Sequence, residues 1–135
     1  MTKSYLNALM YNVTGAAIAV HKELGPGLLE SVYHKCLEYE LHKRNINFVS
    51  EIKIPIPYDE LELESYLRAD FFVERCLVVE LKATEGIHPV HAAQVLTYLK
   101  LLNAPKGLLL NFNVVNIVKE GQRSLVTELY RSLPE

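Results

Sequence analysis

Two short, strongly apolar runs constrain the fold of this chain more than any other feature. They are CLVVELK at residues 76–82 and KGLLLNF at residues 106–112. Short runs of this kind are typical of strands buried inside a sheet. Between them, residues 90–103 have apolar side chains at helical spacing, and Pro89 suits the first turn of such a helix. A helix between two buried strands predicts a crossover connection and a parallel strand pair.

Helical periodicity dominates the first third of the chain. Apolar residues recur every three or four positions from Tyr5 to Leu24, and Gly25-Pro26-Gly27 then predicts a turn. A second helix is expected from about Leu28 to Lys43. The residues predicted for its inner face are Leu29, Val32, Cys36 and Leu37.

The other segments predict strands and a mixed sheet. Residues 48–56 and 62–73 are expected to be strands, and three strands in succession favour an antiparallel meander. Residues 115–119, VNIVK, predict a short edge strand, and residues 124–133, SLVTELYRSL, a closing helix. The order is α-α-β-β-β-α-β-β before that last helix. The expected fold is α/β or α+β, a small mixed sheet flanked by helices.

Composition limits the size and the partners of the protein. The 135 residues fit one domain, and the formal net charge of -2 gives no overall basic signal for nucleic-acid binding. Such binding would need a local basic patch. Cys36 and Cys76 lack metal-type spacing, and no signal peptide is visible, so we expect reduced thiols and a cytoplasmic protein. No apolar run approaches the length of a membrane span, so no membrane partner is expected.

Glu80 and Lys82 place two charges in the first apolar run. Residues two apart in a strand point to the same face, so these side chains project together, roughly 6–7 Å apart along the strand. A buried charge is costly unless it is paired, neutralised or bound to a metal. Asp70 lies in the preceding predicted strand, where aspartate is disfavoured. A tight connection through Glu74 and Arg75 would bring Asp70 alongside Glu80.

Two converging carboxylates repel each other unless a cation or a proton lies between them. Mg²⁺ prefers oxygen ligands and is commonly held by one or two carboxylates, water and substrate phosphate. A nearby lysine can orient or help to deprotonate the attacking water, or stabilise charge on the phosphate. Asp70, Glu80 and Lys82 therefore predict a site that cleaves phosphodiester bonds. The alternative is a chance Glu-x-Lys pair on a solvated face or in a weak ion pair.

Two further groups of polar residues are candidates for the same site. At about 100° per residue, His91, Gln94 and Tyr98 share a stripe at the edge of the apolar face of helix 90–103. Gln94 and Tyr98 together favour a functional role, whereas an ordinary boundary position is sufficient for His91. Glu30 lies in the first turn of the second predicted helix, where the helix dipole alone favours a carboxylate.

The segment GPGLLESVY, residues 25–33, resembles the Gly-x-x-Glu-x-x-Tyr motif that names the GxxExxY protein family. Gly27, Glu30 and Tyr33 match that motif. The family is placed in the PD-(D/E)XK nuclease-like superfamily, and the resemblance extends over nearly the whole chain. It implies a restriction-endonuclease-like core in a single domain over residues 1–135.

The resemblance also implies roles for individual residues. Asp70 is similar to the first acidic position of the superfamily, and Glu80 and Lys82 to its (D/E)-x-K, although Ala69 stands where the superfamily's name has proline. Mg²⁺ (or Mn²⁺) would be held by Asp70, Glu80 and the Leu81 carbonyl, and Lys82 would position the hydrolytic water. Glu30 would bind the metal, directly or through water. Gln94 and Tyr98 are similar to the Gln-x-x-x-Tyr element of RecB-like nucleases and would act as orienting residues.

Three hypotheses follow. The first is a Mg²⁺-dependent nuclease that acts on nucleic acid, DNA more than RNA. The second is an inactive nuclease-fold module that binds nucleic acid or protein, which the acidic net charge and the lack of a separate recognition domain favour. The third is a structural domain in which Glu80 and Lys82 form a buried ion pair. A homodimer is compatible with each. The cations available to a nucleic acid are Lys22, Lys43, Arg44, Lys53 and Arg68.

Overall fold

The elements follow the predicted order α-α-β-β-β-α-β-β, with two four-residue helices beside the last strand. A computed structural model describes residues 1–135. Its elements are α1 (Lys3–Leu24), α2 (Glu30–Lys43), β1 (Phe48–Tyr58), β2 (Leu61–Val73), β3 (Leu77–Lys82), α3 (Pro89–Leu102), β4 (Lys106–Asn111), α4 (Ile117–Glu120), β5 (Gln122–Val126) and α5 (Glu128–Arg131). The predicted fold class is confirmed.

The five strands form one mixed sheet in the spatial order β1-β2-β3-β4-β5. The first three strands are an antiparallel meander, β3 and β4 run parallel, and β5 returns antiparallel to β4. The parallel pair is the one that α3 connects. Both the predicted meander and the predicted crossover are therefore present.

Helices cover both faces of the sheet. The larger core cluster joins α1 and α2 to one face, and a second cluster joins α3 to the other. Gly107 in β4 permits close packing of α3, because a Cβ atom there would lie 2.7 Å from Cγ1 of Val95. The side chains of Val95 and Leu99 are consequently buried against the sheet.

The buried face of α2 differs from the prediction. Leu29 precedes the helix as its N-cap residue and is 74% exposed, and Val32 is 38% exposed. Leu37 is buried as predicted and Cys36 is partly buried, but Tyr33 and Leu41 are buried in place of the other two. The apolar spacing in α2 was compatible with burial of either set of residues. The large Tyr33 ring decided between them, because it stacks on Phe112, the residue after β4, with the ring centroids 4.6 Å apart.

Tyr33 also closes the turn between the first two helices. Its hydroxyl donates to the Gly25 carbonyl at 2.6 Å and accepts from the Leu28 amide at 3.1 Å. These bonds satisfy backbone groups that neither helix satisfies. The tyrosine of the Gly-x-x-Glu-x-x-Tyr segment thus fixes the point at which α2 begins, and with it the position of Glu30.

The C-terminal predictions were wrong in detail. Residues 115–119 are not a strand, because α4 begins at Ile117 and the Asn116 side chain caps it by accepting from the Lys119 amide. The last strand lies later, at Gln122–Val126. Its backbone pairing with β4 includes residues 124–126, which the apolar pattern had assigned to a helix. Only Glu128–Arg131 of that segment is helical.

We predict that Tyr33→Phe lowers the free energy of unfolding by about 0.5–1.5 kcal/mol, because it removes the hydrogen bonds of the Tyr33 hydroxyl to the Gly25 carbonyl and the Leu28 amide. Chemical denaturation monitored by circular dichroism measures this difference. The control is Tyr39→Phe on the same helix, where the tyrosine is 65% exposed and its hydroxyl makes no hydrogen bond within the protein. Equal stability of the two variants would contradict the role of the Tyr33 hydroxyl.

Candidate active site

In β1 and β2, the regular alternation of side chains between the two faces of the sheet is interrupted next to the candidate site. Ser50 and Phe71 face α2, where both contact His34. One step further along the ladder, Ile52 and Ala69 belong to the cluster under α3. The reversal lies at Glu51, whose φ of 52° is left-handed, and at Asp70 across from it.

β2 and β3 separate at Asp70. Their backbone pairing covers only Phe71–Val73 and Leu77–Val79. Beyond it, the Asp70 amide donates to Oε1 of Glu80 at 2.9 Å, and the Leu81 amide donates to Oδ2 of Asp70 at 2.7 Å. We call this separation the fork. It brings the Asp70 and Glu80 carboxylates together, as the predicted tight connection requires.

The Leu81 carbonyl faces the same gap. In a strand, the N–H and C=O of one residue point to the same neighbouring strand, since paired residues exchange both bonds. The Leu81 amide points at Asp70, so its carbonyl oxygen is also directed toward β2. The fork therefore presents a third oxygen beside the two carboxylates.

Lys82 and Gln94 lie together beside Glu80. Nζ of Lys82 is 3.7 Å from Oε2 of Glu80 and donates to Oε1 of Gln94 at 3.3 Å. The Lys82 side chain is 17% exposed and that of Glu80 is 6% exposed. Gln94 thus makes the contact that was expected between α3 and the Glu80–Lys82 pair on β3.

Tyr98 is buried one turn further along α3, whereas His91 makes no hydrogen bond to Glu80, Lys82 or Gln94. Burial raises the pKa of the Tyr98 phenol, and the Glu80 and Asp70 carboxylates raise it further, so the hydroxyl keeps its proton beside them. His91 accepts a bond from the His88 amide at the start of α3. That bond accounts for His91 as a helix-capping residue.

His34 is a member of the site that the sequence analysis missed. Its Nδ1 atom is 3.3 Å from Oδ1 of Asp70, and its Nε2 atom is 2.8 Å from the Ser50 hydroxyl and 3.2 Å from Oε1 of Glu38. The bond to Asp70 is the main cause of a raised pKa for this imidazole. The spacing of Glu30, His34 and Glu38 was the available signal, because residues four apart share one face of a helix.

Glu30 lies at the rim of the cleft between α2 and the β1–β2 hairpin. Desolvation and then the Asp70 charge raise the pKa of the Glu30 carboxyl, against the opposing effects of Lys82 and His34. Glu30 is thus within electrostatic range of the fork although its side chain is exposed. The cleft has a volume of about 260 Å³, and its lining residues are Glu30, Ser31, His34, Lys35, Glu38, Glu51 and Asp70.

Comparison with known protein families gives one match. A family model described as the PD-(D/E)XK nuclease superfamily matches residues 7–124, which include the fork, the cleft and α3. This chain belongs to the PD-(D/E)XK nuclease superfamily. No curated protein and no solved structure matches the chain.

The carboxylates of this PD-(D/E)XK protein are electrostatically crowded. Burial, followed by the Asp70 charge, raises the pKa of Glu80 to about 8. No group of three or more His, Cys, Asp and Glu side chains is arranged as a metal site. The fork instead offers two carboxylates and one carbonyl, all hard oxygen donors. This set fits Mg²⁺ or Mn²⁺, which commonly take one or two carboxylates and complete their coordination with water and substrate phosphate.

Two remaining features concern the helices and the cysteines. No helix combines the length and the apolar character that crossing a bilayer requires. Cys36 is partly exposed and Cys76 is buried, and both are free thiols. Burial raises the pKa of the Cys76 thiol to about 11, so it packs as a small apolar side chain.

We predict that metal-free Glu80→Gln is more stable than the wild type above pH 8 and that the difference disappears near pH 4.5. A carboxyl whose folded-state pKa is raised binds more protons in the folded than in the unfolded state, so wild-type stability falls as pH rises from about 4.5 to about 8. Glutamine cannot ionise, and its amide oxygen still accepts from the Asp70 amide. Each unit of pKa shift corresponds to about 1.4 kcal/mol.

Melting temperatures across this pH range, in the presence of a chelator, measure the effect. Glu23→Gln is the control, since Glu23 is exposed on α1 and its profile should follow the wild type. Parallel profiles for Glu80→Gln and the wild type would show that the fork does not disfavour the charged carboxylate.

Proposed function

We propose that this protein is a metal-dependent nuclease that hydrolyses phosphodiester bonds in nucleic acid, DNA more than RNA, with Mg²⁺ or Mn²⁺ as the metal. The observation that carries the proposal is the convergence of Asp70 and Glu80 at the fork with Lys82 3.7 Å from the Glu80 carboxylate. Membership of the PD-(D/E)XK nuclease superfamily supports the reaction class.

The metal ligands in this proposal are the Asp70 and Glu80 carboxylates and the Leu81 carbonyl. Glu30 contributes from the rim, directly or through water, and its position across the cleft from Asp70 supports this role. A bound cation would supply positive charge that polarises the scissile phosphate and lowers the pKa of the attacking water. His34 holds the Asp70 carboxylate from the α2 side and limits its rotation.

Lys82 positions the hydrolytic water. Its ammonium group has three N–H donors, of which one faces Glu80 and one is bonded to Gln94. The third is available for water or a phosphate oxygen. Gln94 holds the ammonium group in place, and the protonated Tyr98 phenol provides a buried polar group beside the carboxylates.

We further assign the chain to the GxxExxY family within the superfamily. The three motif residues have distinct physical roles that support this assignment. Gly27 has a φ of 96°, which glycine adopts without strain, Tyr33 closes the same turn, and Glu30 follows as the first residue of α2. The motif thereby places the Glu30 carboxylate at the first residue of α2, where it lines the cleft.

Calorimetric titration of Mn²⁺ is expected to show binding to the wild type and at least ~10-fold weaker binding to Asp70→Asn. Because metal binding requires ionised carboxylates, it should release protons at pH 7 and strengthen as the pH approaches 8, the pKa of Glu80. Titrations in buffers of different ionisation enthalpy measure the proton release.

Asp59→Asn is the matched control for this titration, because Asp59 lies in the turn of the β1–β2 hairpin, away from the fork. The titration is repeated with a non-cleavable oligonucleotide, since substrate phosphate completes sites of this type. Equal Mn²⁺ affinity of Asp70→Asn and the wild type, with and without the oligonucleotide, would contradict the metal assignment.

Lys82→Ala is expected to reduce cleavage of labelled DNA by at least ~100-fold, because the water loses its positioning group. Lys100→Ala is the control, because Lys100 is exposed on the same helix, α3, as Gln94, and this variant should retain activity. Wild-type protein that binds DNA and RNA but cleaves neither with Mg²⁺ or Mn²⁺ would indicate the inactive binding module instead.

Thermal stability separates the nuclease from the structural ion pair. A structural Glu80–Lys82 pair predicts a lower melting temperature for Lys82→Ala, since the buried Glu80 charge is left without compensation. It also predicts a lower melting temperature for Asp70→Asn, since the bonds of Asp70 to His34 and the Leu81 amide would then outweigh its repulsion of Glu80. The crowded metal site predicts that Asp70→Asn without metal is as stable as the wild type or more stable, because one of two repelling carboxylates is neutralised.

A further inference from the structure

The β1–β2 hairpin extends well beyond the fork. β2 has 13 residues but pairs with β3 only at Phe71–Val73, so the ribbon formed by residues 52–69 has no third strand. We call this ribbon the arm. One of its faces, which includes Ile54 and Leu67, packs toward α3. The opposite face lies on the same side of the sheet as α2 and the cleft, because the side-chain alternation reverses at Glu51 and Asp70.

Three polar side chains form a cluster on that face. Lys53 and Arg68 are cross-strand partners, and Tyr66 follows on the same face. Nζ of Lys53 is 4.8 Å from the centroid of the Tyr66 ring, and Nη2 of Arg68 donates to the Tyr66 hydroxyl at 3.3 Å. Tyr66 is 44% exposed and the Arg68 side chain is 50% exposed. We call these three residues the arm cluster.

The arm cluster is continuous with the cleft. Nη1 of Arg68 is 3.9 Å from Oε1 of Glu51, and Glu51 lines the cleft together with Asp70. At a rise of about 3.3 Å per residue, Arg68 lies ~7 Å and Tyr66 ~13 Å from Asp70 along β2. A ligand that reached the fork would therefore meet the arm cluster within a few nucleotides' length.

The charge distribution favours an anionic ligand at the arm cluster. The cleft itself is lined by four carboxylates, whereas the arm cluster presents an ammonium, a guanidinium and a phenol. The Arg68 bond and the Lys53 charge lower the pKa of the Tyr66 phenol, and no carboxylate acts on it in the opposite direction. Asp59, Glu60, Glu62 and Glu64 occupy the outer end of the arm and restrict an anionic ligand to its inner half.

We propose that Lys53, Tyr66 and Arg68 bind the phosphate backbone of a nucleic-acid strand on one side of the scissile bond. Arginine, lysine and tyrosine side chains commonly donate to phosphate oxygens, and such contacts fix the register of the strand without reading its sequence. The inference rests on the proposed nuclease function and adds its substrate-binding surface. The arm cluster holds the strand while the adjacent acidic cleft receives the scissile phosphate.

The test is the salt dependence of nucleic-acid binding. The parent protein is Lys82→Ala with Mg²⁺, so that the probe is not cleaved, and the probe is a fluorescein-labelled single strand or its duplex. Lys53→Gln combined with Arg68→Gln is expected to weaken binding of the single strand by at least ~10-fold. The slope of log affinity against log salt should fall by about 1.4, since each phosphate contact on a single strand contributes about 0.7.

Two matched variants isolate the position and the charge. Lys119→Gln with Arg123→Gln removes the same two charges from exposed positions on α4 and β5, beyond the opposite edge of the sheet, and should change neither affinity nor slope. Lys53→Arg with Arg68→Lys keeps both charges and should restore the parental slope. Melting temperatures verify that every variant is folded.

The outcomes distinguish this inference from the proposed function. If the parent binds and Lys53→Gln with Arg68→Gln binds with the same affinity and slope, the arm inference is overturned and the nuclease proposal is untouched. If binding is lost with these substitutions but wild-type protein cleaves no substrate, the arm cluster is confirmed as a nucleic-acid contact and the nuclease proposal fails. Absence of binding by the parent to both probes overturns the inference whatever the cleavage assay shows.

Discussion

The candidate site depends on one feature, the replacement of backbone pairing by side-chain bonds where β2 and β3 separate. The Asp70 amide is bonded to Glu80 and the Leu81 amide to Asp70, at 2.9 and 2.7 Å. A buried amide without a partner costs about 1–3 kcal/mol, so these carboxylates are held by the same forces that hold the sheet. The placement of the charges is therefore a consequence of how the sheet ends, and no flexible loop is needed.

The fork also joins the two helical layers. Glu80, Lys82 and Gln94 interact on the α3 side, whereas His34 contacts Asp70 from the α2 side. In an uninterrupted sheet these groups would be separated by a layer of backbone. Glu51, opposite Asp70, has a left-handed backbone conformation, which costs about 1–2 kcal/mol for a residue other than glycine. The side chains of β1 and β2 change from one face of the sheet to the other at this position. Such local strain is common at functional sites.

Several predictions from sequence held because the pattern had one physical solution. Two apolar strands joined by one helix require a crossover, and the side chains of Asp70 and Glu80 converge when the strands that carry them are joined by a tight turn. The buried face of α2 had more than one solution, and the stacking of Tyr33 on Phe112 selected it. His34 was missed for a related reason, because its partners Asp70 and Ser50 are distant in the chain and only the folded hairpin brings them to α2.

The sequence by itself determined the order of the main elements, the mixed sheet, and the acidic and basic residues at the end of β3. These features follow from the periodicity of apolar residues and from strand geometry, which are local. Tertiary structure alone decided the separation of β2 from β3, the contact of His34 with Asp70, and the face of the arm that carries Lys53, Tyr66 and Arg68. Each of these depends on contacts between segments that are distant in the chain, and no local sequence pattern records such contacts.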